Sequence, residues 1–290
     1  HGTRQVFIAG HIGRPKTPDS FLSTRLLELP LEEIFRRSVT YKKDLNIDDG
    51  MLSSMAQLIL LENLRFWPGE ETNDEEFAKK LAGIADIYVN DAFAVCHRTH
   101  ASMVGVPALL PHAAGLHLQE EVETLSKLLE KPQRPFVAIV GGAKIETKIP
   151  VIENLSKVAD EVLVGGYLPL EIEKEGLSLP KNVLIATLGG DKKDIDEASV
   201  KKFSDVIKDA KTVVWNGPMG LYEEGFEKGT LAVAQALIEC AGFSVVGGGE
   251  TSDFLESKNL LDKFSFVSSG GGAMLEFLAG KTLPGIVALE

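Results

Sequence analysis

Residues 136–148 read FVAIVGGAKIETK, an apolar run that passes through two glycines into a more polar segment. The run at 136–141 predicts a β-strand, and a helical pattern follows it at 150–159. The same succession of apolar run, glycines and amphipathic segment recurs through the second half of the chain. Strands that alternate with helices indicate parallel sheets covered by helices on both faces, so the pattern predicts an α/β fold.

Apolar runs elsewhere predict eight further strands, each bounded by glycine, proline or small polar residues. These strands are predicted at 4–10, 56–62, 87–91, 161–165, 183–188, 212–216, 243–247 and 264–268. Further helices are predicted at 74–85, 199–210 and 228–241. We therefore expect two doubly wound parallel-sheet domains joined by a helix that acts as a hinge.

A domain boundary is predicted near Gly115, at the end of a stretch that prolines interrupt. We assign 1–115 to an N-terminal domain and 116–290 to a C-terminal domain that begins with a helix at 116–131. This helix carries one apolar stripe, made of Leu118, Val122, Leu125 and Leu129. A long helix between two α/β halves would link the domains, although the pattern also fits an ordinary surface helix of one domain.

Composition narrows the class of protein. Of the 290 residues, 44% are hydrophobic and 25% are charged, which is the balance of a globular protein. The net charge of −12 disfavours nucleic-acid binding, whose affinity comes mainly from neutralising phosphates. No run approaches about 18 uninterrupted apolar residues, so no transmembrane helix is expected. The cysteines, Cys96 and Cys240, are too few for a disulfide framework, which indicates a reducing, cytoplasmic setting.

Glycines follow nearly every strand that is predicted after residue 132. They stand at Gly141-Gly142, Gly165-Gly166, Gly189-Gly190, Asn216-Gly217-Pro218, Gly247–Gly249 and Gly270–Gly272. Glycine lets backbone N–H groups approach an anion, and ligands of open α/β sheets lie beyond the carboxyl ends of the strands. A single Gly-Gly pair is more simply a tight turn, but six strand ends in one half indicate a nucleotide site. No G-x-G-x-x-G motif follows a strand, which counts against a dinucleotide enzyme.

Charged residues adjoin two of these glycine turns. Lys144 and Lys148 stand four residues apart, so they would share a face at a helix start, where an anion between them would offset the helix dipole. Two solvated surface lysines are the alternative. Glu250 and Thr251 follow Gly247–Gly249 directly, and a carboxylate beside a phosphate site suits Mg²⁺. The same two residues would also suit the start of a helix.

Arginine and histidine follow three separate strands in the first half. They are His11 and Arg14, then Arg65, then His97, Arg98 and His100. Three such strand ends suggest a basic pocket for a carboxylate or phosphate. A zinc site at His97 and His100 beside Cys96 is disfavoured, because no further ligand motif accompanies them.

These motifs, taken in order along essentially the whole chain, resemble those of the phosphoglycerate kinase family. The matching stretches are HIGRP at 11–15, LLENLRF at 60–66, NDAFAVCHRTHASMVGV at 90–106, GGAKIETKIPVIENL at 141–155, VVWNGPMGLYE at 213–223, FSVVGGGET at 243–251 and SSGGGAMLEFLAGKTLPG at 268–285. The resemblance implies two domains that close over the substrates. It also implies transfer of a phosphoryl group from 1,3-bisphosphoglycerate to ADP, giving 3-phosphoglycerate and ATP in glycolysis. Mg²⁺ as cofactor, a monomer, and no nucleic-acid or membrane partner are implied as well.

Carried over residue by residue, the resemblance implies three sets of site residues. The phosphoglycerate pocket is expected at His11, Ile12, Gly13, Arg14, Arg65 and Arg98. The transferring phosphoryl group is expected to meet Lys144 and the helix start at Gly270, Gly271 and Gly272. The nucleotide is expected at Lys148, Gly165, Gly166, Asn216, Gly217, Pro218, Glu223, Gly248, Gly249, Glu250 and Thr251. Glu250 is also the expected ligand of Mg²⁺.

The sequence departs from the family in four places. The opening strand with its Asp, Asn and Arg ligands is absent, which counts against activity of this chain by itself. We therefore expect the sequence to be part of a longer protein, and an intact mass equal to that of these 290 residues would contradict this. Gly165-Gly166 runs straight into YLPLEIEKEG, 186–199 is short, and Glu250 stands where the family more often has Asp.

A structural or interaction protein that keeps the fold is a remote alternative, which predicts no protection by Mg-ADP in thermal melting. Two nearer rival functions also remain open. One is another ATP-dependent enzyme on a two-domain α/β frame, such as an acetate-type or amino-acid kinase, and the set of Arg and His residues at three strand ends argues against it. The other is a non-catalytic protein that binds anions or nucleotides, which the absent opening segment would favour. A coupled assay with 3-phosphoglycerate against other acids separates these possibilities.

Overall fold

The computed structural model describes residues 5–45 and 57–290, and the chain forms two compact units. The first unit takes in the chain up to Asn90, Arg98–Ala114 and Pro284–Glu290. The second unit takes in Asp91–His97 and Gly115–Leu283. The chain therefore enters the second unit briefly before residue 115 and returns to the first unit at its end, which the sequence pattern did not indicate.

The first unit contains two parallel sheets. Its strands are β1 (Gln5–Ile8), β2 (Val39–Lys42), β3 (Gln57–Leu61), β4 (Tyr88–Asn90) and β5 (His112–Ala114), and its first three helices are α1 (Glu28–Phe35), α2 (Pro68–Glu71) and α3 (Glu75–Ala82). The strands pair in the orders β1-β3-β2 and β4-β5. Phe77, Ala78 and Leu81 of α3 pack on Ile59 and Leu61 of β3, so an amphipathic helix covers one face of the larger sheet.

The second unit is built on one sheet of six parallel strands in the order β11-β10-β9-β6-β7-β8. The strands are β6 (Phe136–Val140), β7 (Glu161–Val164), β8 (Val183–Ile185), β9 (Thr212–Asn216), β10 (Phe243–Gly247) and β11 (Phe266–Ser268). The helices are α4 (Leu116–Glu130), α5 (Ile145–Leu155), α6 (Leu168–Glu175), α7 (Glu197–Lys208), α8 (Lys228–Glu239), α9 (Gly249–Ser257) and α10 (Gly272–Leu278), and α11 (Pro284–Val287) then lies in the first unit.

Burial explains why the central strands read as unbroken apolar runs. Every residue of β6 and β9 is buried, as expected of parallel strands that helices cover on both faces. Trp215 of β9 is wholly buried in a core that Phe203 of α7 and Phe254 of α9 share. Helix starts are set locally, since the Asp196 side chain accepts a hydrogen bond from Ser199 N at 2.7 Å at the beginning of α7.

The predicted α/β class with parallel sheets is confirmed, whereas the helices α2, α6 and α11 and three further elements were not predicted. These are α1, β2 and β5. None of the residues of α1 is buried, and all three residues of β5 are exposed, so neither carries the alternation that a half-buried element shows. Among the described residues, none of the helices combines the length and the apolar character needed to cross a membrane.

Candidate functional site

The strand order of the second unit contains a switch point between β6 and β9. From β6 the chain adds β7 and β8 on one side, and it then adds β9, β10 and β11 on the other. Ligands of open parallel sheets bind in the crevice that such a reversal leaves at the carboxyl ends of the strands. The turns that follow β6 and β9 are therefore the strongest candidates for a binding site in this unit.

Those two turns are bonded to each other through their backbones. Gly141 N donates to Asn216 O at 2.9 Å, and Gly142 N donates to Pro218 O at 2.9 Å. A Cβ atom on Gly141 would lie 2.2 Å from Pro218 O, and one on Gly166 would lie 2.5 Å from Gly142 N. Only glycine fits these positions, because the three strand-end turns pack against one another without room for a side chain.

Lys148 reaches this crevice from α5. Its side chain is buried, and Nζ donates to Asn216 Oδ1 at 2.5 Å. Burial lowers the pKa of Lys148 from 10.5 to about 8, and the charge of Glu250 opposes that shift. A buried ammonium is costly unless an anion compensates it, which makes Lys148 a candidate to bind a negatively charged ligand.

Lys144 lies differently from Lys148, although the sequence predicted a shared face. It is the residue that precedes α5, its φ and ψ are −86° and 91°, and it is exposed. Its carbonyl accepts a hydrogen bond from Thr147 Oγ1 at 3.0 Å, which fixes the backbone at the helix start. The side chain therefore projects into solvent from the turn after β6, while Lys148 lies one helical turn further on and points into the protein.

The turn after β10 places Glu250 near the same backbone. Glu250 is exposed in the first turn of α9, and its Oε2 would lie 3.7 Å from a Cβ atom on Gly142. Gly248 has a φ of 100°, which glycine adopts at no cost. Thr251 was expected beside the ligand, but it is fully buried, and its Oγ1 accepts a hydrogen bond from Gly217 N at 2.8 Å. Its hydroxyl therefore stabilises the turn after β9 from the buried side.

Of two further glycine turns, the one before α10 is closely packed, and the one beyond β8 lies at the edge of the sheet. Gly270 and Gly271 precede α10, where a Cβ atom on Gly270 would lie 2.4 Å from the ring of Phe93. A Cβ atom on Gly272 would lie 3.2 Å from His97 Nε2, so His97, which the sequence grouped with the basic residues of the first half, adjoins this turn in the second unit. By contrast, Gly189 and Gly190 lie beyond β8, the edge strand of the sheet and the strand furthest from β9 on that side.

Further candidates surround the turn after β9. Gly165 and Gly166 follow β7, and Gly166 N donates to Met219 O at 3.2 Å. Glu223 lies exposed in a short 3-10 turn beside Tyr222. Burial and the charge of Glu223 raise the pKa of Tyr222 to about 12, so its hydroxyl stays protonated. The predicted residues of the second half therefore gather at the ends of β6, β7, β9 and β10, with Gly270–Gly272 following β11.

In the first unit, Arg65 is the best-anchored member of the basic set. Its Nη1 donates to Gly13 O at 2.6 Å, and its Nε lies 3.3 Å from Glu71 Oε1. The side chain is only 7% exposed, and burial lowers its pKa, although a guanidinium remains charged in proteins. The chain folds this way because Asn63 caps the short turn that carries Arg65, accepting a hydrogen bond from Arg65 N at 3.0 Å.

The other basic residues lie within electrostatic range of Arg65. Arg14 is exposed and Arg98 is half-buried, and the charge of each lowers the pKa of Arg65. Burial together with the charges of Arg65 and His100 lowers the pKa of His11 to about 4. His11 is therefore neutral at pH 7, and it can offer one N–H donor to an anion beside the three fixed positive charges of the arginines.

The metal prediction rests on a single side chain. Among the residues that the structure describes, no group of three or more His, Cys, Asp and Glu side chains could hold a metal ion. Glu250 supplies one exposed carboxylate near the turn that follows β6. That donor set fits Mg²⁺, which binds one or two protein carboxylates and takes its other ligands from phosphate and water.

A family model, similar sequences and similar structures all match this chain, and all of them are described as phosphoglycerate kinase. The family model described as phosphoglycerate kinase matches residues 1–174 and 189–281. The phosphoglycerate kinase of Gloeobacter violaceus is 38% identical over all of this chain and 86% of its own length, and that of Wolinella succinogenes is 35% identical over all of this chain and 85% of its own length. The structure of phosphoglycerate kinase from Coxiella burnetii matches with a TM-score of 0.81 at 34% identity, covering 98% of this chain and 85% of that one. The phosphoglycerate kinase of Pyrococcus horikoshii matches with a TM-score of 0.83 at 27% identity, with the same coverage.

Proposed function

This chain belongs to the phosphoglycerate kinase family, and we propose that the two groups of residues described above are its two substrate sites. Its reaction is the glycolytic transfer of a phosphoryl group between 1,3-bisphosphoglycerate and ADP, which gives 3-phosphoglycerate and ATP. The observation that carries the assignment of the sites is the buried Lys148 at the β6–β9 switch point. A lysine buried there without a fixed ion pair is suited to the phosphates of a nucleotide.

We assign the nucleotide to the second unit. Its phosphates would meet Lys148, Gly248, Gly249 and Glu250, and its base and ribose would meet Gly165, Gly166, Asn216, Gly217, Pro218 and Glu223. The glycine turns support this assignment, because they bring backbone to the ligand where side chains would clash. Thr251 contributes by fixing Gly217, through the hydrogen bond to its backbone N–H.

We assign the phosphoglycerate to the first unit, at His11, Ile12, Gly13, Arg14, Arg65 and Arg98. The support is electrostatic, since the charges of Arg14 and Arg98 both act on Arg65, and the charges of Arg65 and Arg14 help to keep His11 neutral. Arginine holds carboxylate and phosphate through paired N–H donors, and 3-phosphoglycerate carries both groups.

The transfer step requires no covalent intermediate on the protein. Lys144, Mg²⁺ held by Glu250 and the backbone N–H groups at Gly270, Gly271 and Gly272 would neutralise charge on the transferring phosphoryl group. When bound, Mg²⁺ would neutralise charge on the nucleotide phosphates. In-line transfer needs both substrates together with water excluded, which we propose the helix at 116–131 permits by acting as a hinge. We also propose a cytoplasmic monomer.

A coupled assay tests the proposed sites. The protein is supplied with Mg-ATP and 3-phosphoglycerate, then with acetate or glutamate in place of the phosphoglycerate, and ADP formation is followed. We expect turnover with 3-phosphoglycerate alone. Binding of Mg-ADP without any turnover would instead favour a nucleotide-binding protein that lacks catalysis.

The pKa of Lys148 predicts how nucleotide affinity changes with pH. Because burial lowers this pKa to about 8, the ammonium loses its proton as the pH rises from 7 to 9. We expect the Kd for ADP without Mg²⁺ to be constant below pH 7 and to rise up to about tenfold per pH unit above pH 8. Calorimetric titration between pH 6.5 and 9 measures this.

The matched control for that titration is Lys148→Met. This variant removes the titrating group and keeps most of the apolar stem, so we expect weaker ADP binding that no longer changes over the same pH range. A variant that keeps the pH dependence of the native protein would assign the titration to another group.

A further inference from the structure

Glu70 is a buried carboxylate that the proposed reaction does not use. It lies in α2, five residues after Arg65, and it is 3% exposed. Burial raises the pKa of this side chain, and hydrogen bonds from Ser102 oppose the rise. Burying a carboxylate costs free energy unless hydrogen-bond donors compensate it, so Glu70 requires such donors nearby.

The donors come from a distant segment of the same unit. Ser102 Oγ donates to Glu70 Oε1 at 2.5 Å, and Ser102 N donates to Glu70 Oε2 at 3.0 Å. His100 Nδ1 lies 3.7 Å from Glu70 Oε1. Both oxygens of one carboxylate are therefore occupied by a stretch that begins directly after Arg98.

The contact joins the two segments that carry the arginines of the pocket. Arg65 lies in the short 3-10 turn that follows β3, shortly before Glu70, and Arg98 stands shortly before Ser102. The charge of Glu70 raises the pKa of Arg65, while that of Arg98 lowers it, so all three groups lie within electrostatic range. The bonds from Ser102 to Glu70 therefore tie together the two segments that carry these arginines.

We infer that Glu70 and Ser102 are positioning residues, which hold Arg65 and Arg98 at the separation that binds the phosphoglycerate. The inference rests on the proposed phosphoglycerate site in the first unit. Two arginines on separate segments bind one small anion well only if their spacing is set before the ligand arrives, since ordering them on binding costs affinity. A buried carboxylate that accepts two hydrogen bonds is a stiffer link than a surface ion pair.

A hydroxyl deletion tests the link with little risk to folding. In Ser102→Ala the Oγ bond is lost and the N–H bond to Glu70 remains. We expect the KM for 3-phosphoglycerate to rise about tenfold, with the KM for ATP unchanged and kcat within about threefold. Ser102→Thr keeps the hydroxyl, and we expect it to restore the native KM.

The partner variant and a matched control complete the experiment. Glu70→Gln removes the charge and one of the two acceptors, so we expect a similar rise in the phosphoglycerate KM, and Ser102→Ala should add little to it because the pair is already broken. Thr72→Val is the control, since the Thr72 hydroxyl in the same unit donates only to Pro68 O, at 3.2 Å. We expect it to leave both KM values unchanged.

The outcomes separate this inference from the assignment of the site. If Arg65→Ala raises the phosphoglycerate KM and Ser102→Ala does not, the site stands and the positioning role is wrong. If Ser102→Ala lowers the melting temperature while both KM values stay native, the contact is structural only, which also overturns the inference. If Arg65→Ala leaves the phosphoglycerate KM unchanged, the proposed site itself is wrong, and the inference falls with it.

Discussion

Replacing Lys144 by alanine is expected to lower kcat by a factor of about 100 to 1,000, with a much smaller change in the Kd for ADP. The transferring phosphoryl group spreads negative charge over three oxygens, and a lysine that touches it mainly in the transition state stabilises that state over the ground state. Lys144 is exposed at the start of α5, so its removal should cost little stability. Steady-state kinetics with equilibrium ADP titration measures the two quantities separately.

The control for this prediction lies near the other end of the same helix. Lys157 is exposed just beyond α5, so Lys157→Ala removes the same charge and the same side chain away from the glycine turns. We expect it to keep native kcat and ADP affinity. If Lys144→Ala reduces kcat and ADP affinity by the same factor, Lys144 binds the ground state and has no special role in transfer.

The parts of the fold that the sequence predicted best are those whose signal is local. The strands β9 and β10 begin and end at the predicted residues, because each is a five-residue run that polar residues and glycines bound on both sides. The unpredicted elements lack such a signal. In α1, for example, Leu29 and Ile34 are each 72% exposed and none of the residues is buried, so its apolar residues do not mark a core-facing side.

In the candidate site, too, features that depend on neighbouring residues could be predicted, whereas features that depend on distant contacts could not. The glycine turns could be predicted, because consecutive glycines at a strand end indicate a place where a side chain would clash with neighbouring backbone. The difference between Lys144 and Lys148 could not, since it depends on α5 packing Lys148 against Asn216, which lies 68 residues further along the chain. A spacing of four residues predicts a shared face only when both residues are inside the helix, and Lys144 stands just before it.

Glu70 was not singled out from the sequence for a related reason. In the stretch PGEE it reads as one of two acids on a solvated helix start, and Glu71 is indeed exposed. Its carboxylate accepts hydrogen bonds from Ser102, which is 32 residues away. Contacts of this range are what we infer to orient the proposed first-unit site, and a local sequence pattern does not reveal them.

Replacing Arg65 by alanine is expected to raise the KM for 3-phosphoglycerate by roughly 30- to 150-fold, because paired hydrogen bonds between a guanidinium and an anion contribute about 2–3 kcal/mol. The KM for ATP should stay within about twofold, since every contact of Arg65 that the structure records lies in the first unit. Arg65→Lys keeps the charge and loses the planar pair of donors, so we expect an intermediate value.

Two further measurements separate binding from folding in the Arg65 variants. Arg65 also donates to Gly13 O and pairs with Glu71, so melting temperatures must show that the variants fold at the assay temperature. Arg37→Ala, an exposed arginine of the same unit, controls for the loss of one positive charge and should leave both KM values native. If Arg65→Ala instead weakens ADP binding and spares 3-phosphoglycerate, the two substrate sites are exchanged. A basic cluster tied to the backbone at Gly13 would then be holding the nucleotide, and the glycine turns of the second unit would need another ligand.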